Sequence, residues 1–132
     1  MRALITGIGG FVGPYLKREL EKRNYEVYGV DNKRGDGIFS CDLTNFNSIS
    51  KIISKVKPDS IFHLAGFSSV SKSFNQRDLC FDVNVGGTKN LLDSVIKAKI
   101  NPKILVISSA EVYGIPKKVP INETHSLKPL SP

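Results

Sequence analysis

The sequence has no tryptophan, one methionine and only two cysteines in 132 residues. Cys41 and Cys80 stand apart, with neither a Cys-x-x-Cys pair nor the spacing of a metal-ligand set. That excludes a disulfide-stapled scaffold, gives no metal site, and fits two reduced thiols in a cytoplasmic protein. Long apolar runs are missing too: none approaches the ~18 residues that cross a bilayer. Met1–Thr6 leads straight into a glycine loop with no charged leader or cleavage site, so neither a secretory signal nor a membrane partner is expected. Acidic residues are in deficit, 12 against 19 Lys and Arg, which leaves a net charge of +7. The basic residues are nevertheless scattered, and no aromatic residues alternate with them as a stacking platform would require. A solvated basic surface is expected rather than a nucleic-acid interface.

What is present is ordinary for one globular domain, with 40% hydrophobic and 23% charged residues and no internal repeat. Strand-like and helix-like stretches alternate from the start. Arg2–Thr6 is a short apolar run ending at a glycine, as a buried parallel strand does. Val12, Tyr15, Leu16 and Leu20 then recur at helical spacing, with Pro14 tolerated in the first turn. Glu26–Asp31 is a second strand. A helix from about Asn45 carries Phe46, Ile49, Ile52, Ile53 and Val56 on one face and ends at Pro58. Ser60–Leu64 is a third strand. Val85, Thr88, Leu91, Leu92, Val95 and Ile96 trace a third helix, closed by Asn101-Pro102. Lys103–Ser108 is a fourth and the most continuously apolar strand, and after Gly114 a proline-rich irregular tail follows. Such alternation predicts an α/β fold, a Rossmann-type doubly wound parallel sheet, with strand order 3-2-1-4.

The first strand-to-helix turn reads Thr6-Gly7-Ile8-Gly9-Gly10-Phe11-Val12-Gly13. Gly7, Gly10 and Gly13 allow a sharp turn, close backbone approach to a pyrophosphate, and tight helix–sheet packing. The helix N-terminus then offers free N–H groups to phosphate. Asp31 ends the second strand, where an acid holds the adenosine ribose hydroxyls and favours NAD. Lys33 and Arg34 follow and would instead receive the 2′-phosphate of NADP. A basic protein also suits so anionic a ligand.

Five segments in order along the whole chain resemble the extended short-chain dehydrogenases of the NAD-dependent epimerase/dehydratase group, which act on nucleotide sugars. The glycine loop from Thr6 to Gly13 resembles the cofactor loop of that family. Cys41-Asp42-Leu43 resembles its adenine-contacting Asp-Leu. His63-Leu64-Ala65-Gly66 is similar to the stretch beside the cofactor's phosphates and nicotinamide side. Asn84-Val85-Gly86-Gly87-Thr88 is similar to its N-V-x-G-T helix start, and Ser108-Ser109-Ala110-Glu111-Val112-Tyr113-Gly114 to its S-S-x-E-x-Y-G segment. The resemblance implies NAD or NADP as cofactor. It assigns cofactor contacts to Gly7, Gly9, Gly10, Phe11, Val12, Gly13, Asp31, Asn32, Asp42, Leu43, Leu64, Ala65, Gly66, Asn84 and Ser108.

By the same resemblance Ser109 stands where a catalytic Ser or Thr hydrogen-bonds the sugar's 4-oxygen. Glu111 stands where the GDP-mannose 4,6-dehydratases carry their base. The opening Met1–Gly7 and the short stretch after Asp31 look closer to the GDP-4-keto-6-deoxymannose reductases. The implied substrate is a nucleotide sugar, a GDP-hexose by preference, and the implied parent is a homodimer or homotetramer. A UDP-hexose 4-epimerase type and a non-catalytic dinucleotide-binding module are the alternatives. His63 is expected to be a packing residue at a strand end, and Tyr113 structural. The family's Tyr-x-x-x-Lys pair is not found: no Tyr is followed four residues later by a Lys in that context. Since Ser131-Pro132 resembles the Ser-Pro directly before that tyrosine, the expectation is an N-terminal portion of the enzyme, inactive alone and lacking the later strands and the substrate domain.

Overall fold

A computed structural model describes residues 1–132 apart from Arg34. One of the two basic residues weighed for a 2′-phosphate therefore lies outside the described residues. The chain runs β1 (Arg2–Thr6), α1 (Gly13–Lys22), β2 (Glu26–Asp31), β3 (Ile38–Ser40), α2 (Phe46–Val56), β4 (Ser60–His63), α3 (Val70–Ser73) and α4 (Arg77–Phe81). A π-helical turn, Asp82–Gly86, then leads into α5 (Gly87–Lys97), β5 (Lys103–Val106) and a 3-10 turn, Ala110–Tyr113. The sheet has five strands in the order β3-β2-β1-β4-β5, and every neighbouring pair is parallel. The expected doubly wound parallel architecture is what forms.

The strand order needs a correction. With four strands in the order 3-2-1-4, Ser60–Leu64 would lie outside Glu26–Asp31. In the structure β4 pairs with β1, Ala3 opposite Ser60 and Thr6 opposite His63. The place beside β2 belongs to β3, a strand the sequence reading did not contain. Three residues give no periodicity to read, and Gly35 and Gly37 directly before them read as loop.

Two apolar layers hold the sheet. On one face Leu4, Val30 and Ile61 pack against Ile49, Ile52, Ile53 and Val56 of α2 and Leu91 and Val95 of α5. On the other, Ala3, Ile5 and Ile8 pack against Leu20 of α1. Each fully buried Ile or Leu contributes about 1.5–3 kcal/mol. Asn45 starts α2 by accepting the Ser48 N–H on its side-chain oxygen at 3.1 Å, and Lys57, at φ 46°, ends it in the left-handed conformation before Pro58. Cys41 is buried, and burial, with the Asp42 charge as a smaller cause, pushes its thiol up to about 11. It is an unreactive core residue.

Some expected core positions lie outside. Val12 and Tyr15 are exposed, because α1 begins only at Gly13 and turns Leu16 and Leu20 inward. Val85 and Ile96 are exposed as well, and Leu92 is 38% exposed. The apolar stripe of α5 is wider than the face it buries. β5 is the least covered strand: Leu105 and Val106 within it, and Ile107 directly after it, are about half exposed on the outer edge of the sheet. Among the described residues no helix is long and apolar enough to cross a membrane.

Candidate dinucleotide site

Because all five strands run parallel, their carboxyl ends share one edge of the sheet. The chain leaves β1 toward β2 on one side and reaches β4 on the other, so the switch point lies between β1 and β4. Open α/β sheets bind ligands in the crevice at that point. Here the crevice is framed by the glycine loop, the end of β2 and the segment after β4.

Gly7 sits at φ 71° and donates its N–H to the Val30 carbonyl at 2.8 Å, which turns the chain over the end of β2. A Cβ at Gly7 would stand 2.7 Å from the Ala65 nitrogen, so the glycine loop and the Leu64–Gly66 segment touch backbone to backbone. A Cβ at Gly13 would stand 2.1 Å from the Ile8 carbonyl oxygen, and this is the close packing that lets α1 begin beneath its own loop. Val12, the N-cap, supplies no side-chain oxygen, and no acid stands in the first turn of α1. The positive end of the helix dipole is thus left for an anion. Phe11 lies fully out of the fold, 85% exposed beside the loop.

Asp31 reaches this loop directly. One carboxylate oxygen accepts the Gly9 N–H at 2.9 Å and the other the Lys33 N–H at 3.1 Å. Asn32 follows, exposed. Asp42 lies just beyond the end of β3, the neighbour of β2, and its carboxylate accepts from the N–H and hydroxyl of Thr44 at 2.9 and 2.8 Å. Leu43 is buried in the core under α5 and touches Gly87, so its side chain serves packing.

Across the crevice Asn84, on the π-helical turn, accepts the Phe67 N–H at 2.7 Å and donates to the Phe67 carbonyl at 3.3 Å. It thereby holds the chain at Phe67, directly after the Leu64–Gly66 segment. Ser108 and Ser109 follow β5, both exposed. The Ser109 hydroxyl accepts the Glu111 N–H at 3.1 Å and caps the 3-10 turn. No acceptor for its own proton stands among the described residues, and the exposed Glu111 carboxylate lies two residues on.

Residues 3–132 match the NAD dependent epimerase/dehydratase family. The chain belongs to that family. It is 31% identical to a GDP-mannose 4,6-dehydratase of Vibrio cholerae, over 99% of this chain and 41% of that protein. It is 35% identical to a UDP-glucose 4-epimerase of Lactobacillus helveticus, over 100% of this chain and 42% of that one. In three dimensions it matches the UDP-glucose 4-epimerase of Thermus thermophilus in complex with NAD with a TM-score of 0.88 and 29% identity, covering 99% of this chain and 45% of the other. The chain therefore spans less than half the length of the epimerase/dehydratase proteins it matches.

One spacing within this family member needs correcting. Tyr113 and Lys117 do stand four residues apart. They do not share a helix, because Gly114 turns at φ 64° and Pro116 follows. The Tyr113 ring instead lies edge-on to His125, 5.7 Å between centroids. What the motifs did not reveal is a buried polar connection behind the crevice. Thr6, wholly buried, and His63, 2% exposed, meet at 2.6 Å. Polar residues at the last position of two central strands were the available signal.

Proposed function

We propose that this chain is the NAD-binding part of an enzyme that modifies nucleotide sugars, of the GDP-mannose 4,6-dehydratase or GDP-4-keto-6-deoxymannose reductase type. The observation that carries the reading is the glycine cradle: Gly7 and Gly13 leave no room for a Cβ, and the uncapped start of α1 lies beside Asp31. The pyrophosphate would lie on the N–H groups of this turn, with the adenosine ribose against Asp31. A carboxylate there favours the ribose hydroxyls of NAD over the 2′-phosphate of NADP, despite the exposed Lys33. When bound, the nicotinamide exchanges hydride with C4 of the hexose. Ser109 would donate its hydroxyl proton to the sugar's 4-oxygen, and Glu111 would take the proton at C5 in a dehydratase.

Glu111 supports the GDP-mannose branch, as does the similarity to the Vibrio dehydratase. The comparable identity to a UDP-glucose 4-epimerase supports a UDP-hexose epimerase as the second reading. Exposed apolar residues on the α4–α5 side, Phe81, Val85 and Ile96, support a homo-oligomeric parent, and two reduced cysteines support a cytoplasmic one.

Calorimetric titration of the folded chain is expected to show NAD+ or NADH binding tighter than NADP+. Asp31→Ser should weaken NAD+ binding about 10–100-fold, the worth of hydrogen bonds to a charged acceptor, and remove the preference. A folded chain that binds none of these refutes the reading. Turnover by the full-length enzyme should favour GDP-mannose over UDP-glucose, and the reverse order favours the epimerase. No turnover of either sugar is expected from residues 1–132 alone, and measurable dehydration by that purified chain would refute its inactivity.

A further inference from the structure

Behind the crevice, hydrogen bonds link the ends of β1 and β4 to the helix that follows the π-helical turn. The Thr6 hydroxyl meets His63 Nδ1 at 2.6 Å, and His63 Nε2 meets the Thr88 hydroxyl at 2.9 Å. Thr88 in turn lies 2.6 Å from the Asn84 carbonyl oxygen. The direction of both bonds at Thr88 follows from that last contact. A carbonyl only accepts, so the Thr88 hydroxyl spends its proton on Asn84 and must accept from His63. Nε2 therefore carries a proton, and in the neutral ring Nδ1 is bare and accepts from the Thr6 hydroxyl. The imidazole is neutral, in agreement with the burial that holds its pKa below the ordinary histidine value.

Both ends of this chain of bonds reach cofactor-facing backbone. Thr6 immediately precedes Gly7, where an added Cβ would collide with the Ala65 backbone. Asn84 grips both backbone groups of Phe67 with its side chain, while its carbonyl receives Thr88. The two walls of the crevice are thus joined through one imidazole. An apolar residue at the same place would fill the volume and leave the spacing unset.

We propose that His63 is a positioning residue, fixed as the Nε2–H tautomer between Thr6 and Thr88, which sets the width of the cleft between the glycine loop and the Ala65–Phe67 segment. The role rests on the reading of that cleft as the dinucleotide site, although the tautomer itself does not. In the unaltered chain, long-range 15N NMR should show a pyrrole-type nitrogen at Nε2 and a pyridine-type nitrogen at Nδ1. The opposite tautomer, or averaging between the two, overturns the proposal.

Thr88→Val keeps the shape but leaves the Nε2 proton without an acceptor, whereas Thr88→Ser keeps the acceptor. Calorimetry should show NAD+ binding weakened about tenfold in Thr88→Val and restored to within about twofold in Thr88→Ser. A Thr88→Val chain that melts earlier yet binds NAD+ as before would make the strut merely structural and refute the positioning role. If the unaltered folded chain binds no cofactor, the dinucleotide reading fails and the positioning role with it. The ring-nitrogen spectra still show then whether the strut exists.

Discussion

Two glycines with nearly the same backbone angle separate conformational need from steric need. Gly7 stands at φ 71° and Gly37 at φ 70°, but a Cβ at Gly7 would strike the Ala65 backbone whereas one at Gly37 would meet nothing within 4 Å among the described residues. Gly37→Ala should therefore cost about 1–2 kcal/mol, the left-handed strain alone, and leave cofactor binding untouched. Gly7→Ala adds a backbone collision to that strain. It should destabilise by about 3 kcal/mol or more and reduce NAD+ affinity at least about tenfold, measured by denaturant melts and calorimetry on the same samples. His63 makes a second residue-scale prediction. Its folded pKa is lowered by burial, and its hydrogen-bond partners are uncharged hydroxyls. The unfolded chain, with a histidine pKa of about 6.5, thus takes up the proton first. Its contribution to stability is complete above that value and is lost as the pH falls below it, by at most about 1.4 kcal/mol per pH unit. Urea melts between about pH 5 and 7 should show this slope, and His63→Gln should flatten it.

At the scale of elements, length decided what was readable. β1, β2, β4, β5, α1, α2 and α5 stood out in the sequence because each repeats an apolar pattern against glycine or proline punctuation. β3, α3 and α4, of three to five residues, are too short to complete a period. Spacing also overstated burial, since periodicity marks a face without saying what lies opposite. Ile53 and Ile96 were read alike, yet one is wholly buried and the other 73% exposed. Ile53→Ala should cost about 2–5 kcal/mol, while Ile96→Ala should stay within about 0.5 kcal/mol. Equal losses in chemical denaturation would mean that something covers α5 in solution.

For the molecule as a whole, the parallel doubly wound plan and the place of the crevice were legible, because small residues mark each point where backbone must approach backbone. The connections between crevice walls were not. Thr6 and His63 are 57 residues apart, His63 and Thr88 another 25, and no local pattern ties such positions together. The order 3-2-1-4 with the later strands lacking does put the most apolar strand at the border of the sheet, and the structure leaves it open there. Leu105 and Ile107 alternate onto the face of the sheet that α1 covers, but lie beyond the reach of that helix. The chain alone should consequently self-associate or bind a hydrophobic dye. Leu105→Lys combined with Ile107→Lys should lower dye fluorescence and shift sedimentation toward the monomer, with the melting transition preserved.

α4, the π-helical turn and α5 form one uninterrupted rod from Arg77 to Lys97. A π turn amounts to a single surplus residue in an otherwise regular helix. Wound as a standard α-helix with no residue removed, the rod would swing everything on one side of the turn by about 100° relative to the other. Asn84 and Thr88 would then no longer face Phe67 and His63 together. The irregularity acts as a phase shifter, and a better-formed helix here would make a poorer binding protein.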